Sequence, residues 1–283
     1  MKVNYWLLLL FVSVVVSCRK ETTDPPPPPI SEVPTVPTGS DTQVFRIKDI
    51  NYVNLPSPYY HFDYNDSGYI TNMTYVSGLW NFGFSYADKK LRQMQNDIIV
   101  NKDKMKYEYS DDGNVSVIRV EDSTGKLRRK YLFTYTALRQ LKQLDVYVNA
   151  GSGIAQEQTM TFSYYANGNL NEMITHYYKV GSQTELTFTD KYEDYDNKPN
   201  ADGVGLLNAS QFRHPIILPS VKLQLNNARK VRRTGSPNDY NIIYTLVYDA
   251  AGRPTSRTGD FVYTSGSQSG QHFTIQSSFS WYN

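Results

Sequence analysis

The sequence predicts an all-β fold of repeated antiparallel hairpins that form a curved, meandering sheet or half-barrel. Three observations predict it. Apolar and polar residues alternate with period two in one stretch after another, the pattern of strands with one buried face. Each stretch ends in a tyrosine and runs into a turn rich in Asp, Asn and Gly. The ending tyrosines Tyr64, Tyr86, Tyr109, Tyr135 and Tyr164 are 22, 23, 26 and 29 residues apart, which fits one hairpin and a return connection per repeat.

The chain begins with a targeting segment, residues 1 to 17. Lys2 supplies a positive end, and the apolar run from Trp6 to Val16 is too short for a comfortable membrane span. The run ends Val15-Val16-Ser17-Cys18, which resembles a bacterial lipobox. Cleavage before Cys18 and lipidation on it would anchor the mature chain. Cys18 is the only cysteine, so an intrachain disulfide and a cysteine zinc site are both excluded. Residues 18 to 43 form a tether. The run Pro25 to Pro29, with Pro34 and Pro37 beyond, holds an extended polyproline helix at about 3.1 Å per residue. Residues 44 to 283 make one all-β domain.

The repeat is cleanest at Met105 to Val120. Met105, Tyr107 and Tyr109 point one way, Lys106 and Glu108 the other. In the turn Ser110-Asp111-Asp112-Gly113-Asn114, the Asp residues suit a type I turn and Gly113 the left-handed position that completes a three-residue loop. If Ser110 pairs with Asn114, Tyr109 lies opposite Val115 and Tyr107 opposite Val117. The unit recurs at Tyr60 to Tyr64 with Gly68, at Met160 to Tyr164 with Gly168, and at Tyr244 to Tyr248 with Gly252. Two copies are worn. Phe82 to Leu91 has no turn glycine and looks one residue shorter, and the copy at Tyr131 to Leu141 puts Arg139 where glycine is expected.

The stretches Tyr248-Asp-Ala-Ala-Gly-Arg253 and Tyr109-Ser-Asp-Asp-Gly-Asn-Val115 resemble the YD repeats of RHS-type proteins. Together with the lipobox, and with Tyr195-Asp-Asn-Lys-Pro-Asn200, the chain is similar to a group of Bacteroidota lipoproteins of unknown function that carry such hairpins. The resemblance covers about residues 44 to 283 and transfers no catalytic residue. RHS proteins wind these hairpins into large hollow shells. This chain is too short to close one, so the resemblance implies a curved antiparallel sheet of roughly a dozen or more strands.

The remaining elements follow from composition. Asn149 to Gln158 reads as a loop, and Lys191 to Leu207 as a longer irregular connection. Ala209 to Phe212 reads as a short helical turn, and Ile216 to Leu225 as extended chain broken by Pro219. Phe273, Ile275, Phe279 and Trp281 alternate with polar residues as a last strand, which holds best if paired. Pro254, opposite Tyr248, leaves the far side of its strand unpaired, bulged or at an edge.

No catalytic motif emerges. His61, His176, His214 and His272 form no metal-spaced pair. Asp190, Glu193, Asp194, Asp196 and Asp202 lack a calcium-loop spacing and read as a solvated loop. The basic runs Lys126 to Lys130 and Arg229 to Arg233 read as exposed strand edges guarded by cations. Formal net charge is +2, or +1 once Lys2 is removed, which argues against a nucleic-acid or other polyanion binder. Tyrosine outnumbers phenylalanine 24 to 12, which suits strands buried on one side and wet at the tip.

The functional expectation is a lipid-anchored, non-catalytic binding or scaffold module of the cell envelope, monomeric and free of metal and cofactor. It takes a glycan or peptide on a concave face with at least three exposed aromatic rings. Tyr59, Trp80, Tyr177 and Tyr178, which break the alternation, are the candidate binding residues. The competing expectations are a glycan-processing enzyme with a carboxylate pair assembled by the fold, and an RHS-like shell fragment around a peptide. In a further alternative every tyrosine is structural and the loop near residues 200 to 220 plugs the hollow.

Overall fold

The alternating stretches form strands in the structure, a computed structural model that describes residues 45–98, 102–151, 153–200, 206–207, 215–219 and 221–283. The expectations for Cys18, the tether and the helical turn at Ala209 to Phe212 lie outside the described residues. The strands in the first half are β1 (Ile47–Tyr52), β2 (Tyr60–Tyr64), β3 (Ile70–Tyr75), β4 (Trp80–Ala87), β5 (Lys90–Asn96), β6 (Lys104–Tyr109), β7 (Val115–Glu121), β8 (Leu127–Tyr135) and β9 (Leu141–Asn149). Then come β10 (Ile154–Tyr164), β11 (Leu170–Tyr177), β12 (Leu186–Pro199), β13 (Leu206–Leu207), β14 (Ile216–Ile217), β15 (Asn226–Thr234), β16 (Tyr240–Tyr248), β17 (Pro254–Tyr263) and β18 (His272–Trp281). The irregular connection expected from Lys191 is thus strand as far as Pro199, and the loop expected from Asn149 to Gln158 is strand from Ile154.

The sheet closes. Sixteen strands, all but the short pair β13 and β14, run antiparallel in a meander, and β18 returns to pair with β1. Ile47 lies opposite Trp281, Ile50 opposite Phe279 and Tyr52 opposite Ser277. The expected half-barrel is therefore corrected to a closed barrel. Its physical reason is the free edge: an open sheet leaves two rows of unpaired N–H and C=O groups, and the terminal strand satisfies both by joining β17 to β1.

Each hairpin carries the same bulge. Tyr109 lies opposite Val115, but Glu108 lies opposite Val117, so Tyr107 faces Ile118 instead of Val117. The same one-residue slip follows Tyr64, Tyr86, Tyr135, Tyr164 and Tyr248. An extra residue in one strand resets which side chains face inward beyond it. The return strands accordingly bury residues three apart: Ile70 and Met73, Leu91 and Met94, Val115 and Ile118, Leu141 and Leu144, Leu170 and Met173. Pro254 sits beside such a bulge, ahead of the pairing with β18, which starts at Ser256.

The bulge explains the tyrosine. Its hydroxyl donates to the backbone carbonyl of the residue that opens the previous return strand. Tyr64 reaches Ile47 (3.0 Å), Tyr86 reaches Ile70 (2.9 Å) and Tyr109 reaches Leu91 (2.8 Å). Tyr135 reaches Val115 (2.8 Å), Tyr164 reaches Leu141 (2.9 Å) and Tyr195 reaches Leu170 (2.7 Å). The series ends with Trp281, whose indole N–H donates to Pro254 at 2.8 Å. Phenylalanine would fill the same space and leave the carbonyl bare. Tyr135→Phe is therefore expected to destabilise the barrel by about 1–2 kcal/mol in a denaturant melt; an unchanged midpoint would mean that water replaces the hydroxyl.

The turns follow two designs. Gly113, with φ +84°, donates its N–H to the Ser110 carbonyl, and Ser110 N–H donates to Asn114. Gly68, Gly168 and Gly252 have φ of +83°, +84° and +79° in the same hydrogen-bonded loop. Arg139 keeps that loop at φ +61°, with its N–H donated to Thr136. Asp88 and Lys89, at φ +52° and +60°, form instead a two-residue turn. Nothing lies within 4 Å of a Cβ built on Gly113, so backbone strain alone sets the effect of a substitution there. Gly113→Val is expected to cost about 1–2 kcal/mol and Arg139→Gly to gain up to about 1 kcal/mol. Paired melts of the two variants check both signs.

The two faces differ sharply. The outer face carries polar cross-strand contacts, such as Lys106–Glu121, Arg119–Glu108, Asn72–Asn81 and the set Asp49–His61–Asp63. A membrane-spanning barrel places an apolar band there. Here the buried apolar residues face inward, in one cluster drawn from β1 to β11, Phe279 and the segment 216–221, and only scattered ones such as Ile174, Ile243 and Val247 stand on the outer face. The basic runs are not edges. β8 and β15 are each paired on both sides. Their cations meet carboxylates across the ladder: Arg128 with Asp122, Arg129 with Glu157, Arg229 with Asp194 and Arg233 with Asp190.

Candidate binding site at the open mouth

The barrel has two unlike ends. The tight turns after Tyr64, Ala87, Tyr109, Tyr135, Tyr164 and Tyr248 lie at one end, the turn end. The connections before β2, β4, β6, β8, β10, β12, β16 and β18 lie at the other, the loop end. One turn-end hairpin is expanded: between β12 and β15 the chain runs through residues 200 to 225. Part of that insertion enters the barrel. Ile216, Ile217, Leu218 and Val221 are buried in the core cluster, and the Ile217 carbonyl accepts the Tyr107 hydroxyl at 3.0 Å. Buried Asn169 holds the exit of the insertion, accepting the N–H groups of Leu225 and Asn226 at 2.9 Å each.

The broad hollow lined by exposed tyrosines is therefore absent. Inward tyrosines serve as packing and latches, and Ile216, Ile217, Leu218 and Val221 of the insertion occupy part of the interior. Of the described inward rings of β16 to β18, Phe273 alone is exposed, at 47%, so these strands offer no face with three exposed rings. This corrects the broad version of the sequence expectation.

What remains open is narrower. Across β16, β17 and β18, three rows face inward at the loop end. Inside the rim pair Tyr240 and Tyr263, Ile242, Phe261 and Phe273 form the first row. Tyr244, Gly259 and Ile275 form the next, and Leu246, Arg257, Ser277 and Tyr52 the third. Phe279 and Ser277, deeper on the same face, are buried, yet Phe273 and Ile275 are 47% and 38% exposed. Large apolar side chains on the inner face of a closed barrel stay exposed only where that face is not covered.

The floor of this mouth depends on Gly259. A Cβ there would meet the Tyr244 ring at 2.7 Å and Ile275 at 2.8 Å. Glycine lets the Tyr244 ring lie flat over the backbone of the neighbouring strand. Burial pushes the Tyr244 hydroxyl up, with the Arg257 charge opposing. Tyr52, Tyr244, Arg257, Ile275, Gln276 and Ser277 line a recess of about 40 Å³ that opens to solvent. Sites that engulf a drug-sized ligand run to roughly 300–1,000 Å³. This one has room for a small side group of a longer ligand.

Beside it lies a closed counterpart. Arg233 is held by Asp190 through two contacts of 2.7 Å each. Its guanidinium lies 4.0 Å from the Phe188 ring centroid and 4.9 Å from that of Tyr240. Tyr240, Phe261, Tyr263 and Phe273 continue the aromatic packing at 4.7 to 5.9 Å between neighbours. The acidic residues read as a solvated loop are therefore strand residues: Asp190 is 2% exposed, and Glu193, Asp194 and Asp196 follow it on β12. Asp202 lies outside the described residues.

The four candidate aromatics all lie at the loop end, but they do not meet. Tyr59 packs edge-on against Tyr52, Tyr60 and Tyr75, at 5.1 to 5.2 Å. Burial, with a hydrogen bond to Tyr75, pushes its hydroxyl up to about 12. Trp80 is half-buried against the core. Tyr177 faces inward at 6.2 Å from Phe188, and burial pushes it up to about 12. Tyr178 turns outward, 4.4 Å from His176 and within 3.3 Å of the Thr159 hydroxyl. Sequence reasoning missed Arg257, Tyr244 and Ile275 as lining residues. One signal was present: Arg257 and Gly259 hold inward positions where the alternation calls for apolar side chains.

The barrel has known counterparts. A porin-like protein from Bacteroides uniformis matches 79% of this chain and 89% of its own at a TM-score of 0.53 and 14% identity. This likeness shows the fold. A porin-like protein from Bacteroides vulgatus matches 84% of this chain and 99% of its own at a TM-score of 0.48 and 12% identity. The Photorhabdus luminescens Tc holotoxin pore matches 73% of this chain, over 13% of its own length, at a TM-score of 0.31 and 15% identity. No protein-family model matches the chain, and no curated protein matches it.

Proposed function

We propose that this chain is a lipid-anchored, non-catalytic binding module of the bacterial cell envelope, whose ligand is a glycan chain held at the open mouth of the barrel. In this reading it is a YD-repeat, RHS-like lipoprotein of the outer membrane, carried on Cys18 by the proline-rich tether. The observation that carries the reading is the exposure of inward-facing Phe273 and Ile275 in a barrel packed elsewhere. Aromatic faces stack on sugar rings with little loss of side-chain entropy.

A glycan is favoured over an extended peptide by the closure of the sheet. Peptides commonly bind β-proteins by adding a strand to a free edge, and the barrel offers no edge among its sixteen strands. The shell-fragment alternative loses ground because Ile216, Ile217 and Leu218 occupy interior space. A glycosidase needs two carboxylates facing each other across a cleft at roughly 5–9.5 Å, and the lining of the mouth contributes none.

A glycan array probed with the mature chain tests the reading, with Phe273→Ala as the matched control. Retention on glycans that weakens in the variant is the expected result. Turnover of any glycan that disappears on mutating one carboxylate would place the protein among enzymes instead. Mass spectrometry of membrane-extracted protein checks the anchor: the expected N-terminus is a lipid-bearing Cys18, and an unmodified chain starting at Met1 would contradict it.

A further inference from the structure

Arg129, Arg233 and Arg257 all lie on the inner face, and only the first two are neutralised. Arg129, 7% exposed, meets Glu157 at 3.0 Å, and Arg233 meets Asp190 at 2.7 Å. Arg257 is half-buried between Leu246 and Ser277. Among the described residues no carboxylate pairs with it. Its guanidinium lies 4.7 Å from the Tyr244 ring centroid and 5.8 Å from that of Phe279. Ring faces offset part of the desolvation of a cation. They leave its edge, with the fork of N–H donors, to water or a ligand. That edge borders the open space at the mouth, with Tyr52, Tyr244 and Ser277 around it.

We propose that the mouth binds a carboxylated sugar, a hexuronate residue within a glycan, with Arg257 taking the carboxylate in the recess beside Tyr52 and Tyr244. This rests on the glycan-binding reading above and names its ligand class. The charge count selects the anion. A phosphate or sulfate ester draws several cations or a nest of backbone N–H groups, whereas the lining holds one arginine and no lysine. One guanidinium matches one carboxylate in a planar, two-point pair. The size limits what enters, because a recess of about 40 Å³ admits the carboxylate while the ring and the rest of the chain stay outside. Gly259 keeps the pair of walls apart, since any side chain there would drive Tyr244 into the space.

Calorimetry with the mature chain tests this using oligogalacturonate and a glucuronate-containing oligosaccharide, each beside its carboxyl-reduced, neutral form. The expected result is binding of at least one uronate, at least about tenfold weaker for its neutral form, and weakening with added salt. Arg257→Gln should remove that tenfold preference. A melt of Arg257→Gln guards against misfolding: removing an uncompensated inward cation should leave the midpoint equal or higher, and a lower midpoint would assign Arg257 a structural role and overturn the proposal. Equal binding of charged and neutral forms overturns the anion site but leaves the glycan reading standing. No binding of either uronate, with neutral glycans retained on the array, likewise overturns this proposal alone. Loss of all glycan binding overturns both.

Discussion

Asp190→Ala is expected to destabilise the barrel by about 3–5 kcal/mol, the largest effect of any single substitution considered for this chain. Asp190 is 2% exposed and receives two 2.7 Å contacts from Arg233, whose guanidinium is itself enclosed by Phe188 and Tyr240. Removing the carboxylate leaves a largely buried cation without its partner. Its rings then have to hold alone what a paired charge had satisfied. The double variant Asp190→Leu with Arg233→Met removes both charges and keeps the volume, so it should recover most of the loss. Urea melts of the wild type, the two single variants and the double variant give the coupling directly. Additive single effects would show that the pair does not act as a unit.

Legibility followed the locality of each feature. Alternation, turn residues and hairpin spacing are short-range, and they identify most of the first eleven strands. The bulge after each tyrosine is less local, because the sequence between Tyr109 and Ile118 reads equally well with or without one skipped residue. Its trace was the spacing of Ile70 and Met73 or Leu141 and Leu144, three apart where a plain strand gives two or four. The latch is between repeats. No stretch of sequence shows that the Tyr135 hydroxyl reaches Val115, although the excess of Tyr over Phe carried the hint.

Closure was invisible for a related reason. It depends on the summed twist and stagger of sixteen strands, and on β18 meeting a strand more than 220 residues earlier in the chain, as the Ser280–Asp49 contact at a separation of 231 shows. The acidic residues from Asp190 to Asp196 were misread because charge density was taken for solvation. Each is on a strand, and four of their partners, Arg229, Lys230, Arg232 and Arg233, come from the basic run that sequence reading had treated separately. The mouth was half legible. The last strand was identified with Phe273 and Ile275 in phase, but whether anything covers an inward face is a property of the whole barrel.

The tyrosine latches make the barrel sensitive to alkali. Burial pushes the hydroxyls of Tyr64, Tyr86, Tyr135, Tyr164 and Tyr195 well above the ordinary tyrosine range, and those of Tyr59 and Tyr177 to about 12. In the unfolded chain the same groups ionise near pH 10. Below that pH both states hold the protons and the stability is intact. Above it the unfolded chain binds fewer protons than the folded one, so the free energy of unfolding falls as pH rises. Each tyrosine still protonated in the fold contributes a loss of roughly 1.4 kcal/mol per pH unit. With several acting together, the barrel is expected to unfold cooperatively between about pH 10 and 12, and tyrosinate absorbance should appear in step with loss of the β-sheet circular dichroism signal. Tyr135→Phe should lower stability at neutral pH through the lost hydrogen bond, yet make the alkaline slope shallower by one group. Smooth tyrosinate formation near pH 10 in a barrel that stays folded would show that water reaches the latches and that burial does not protect them.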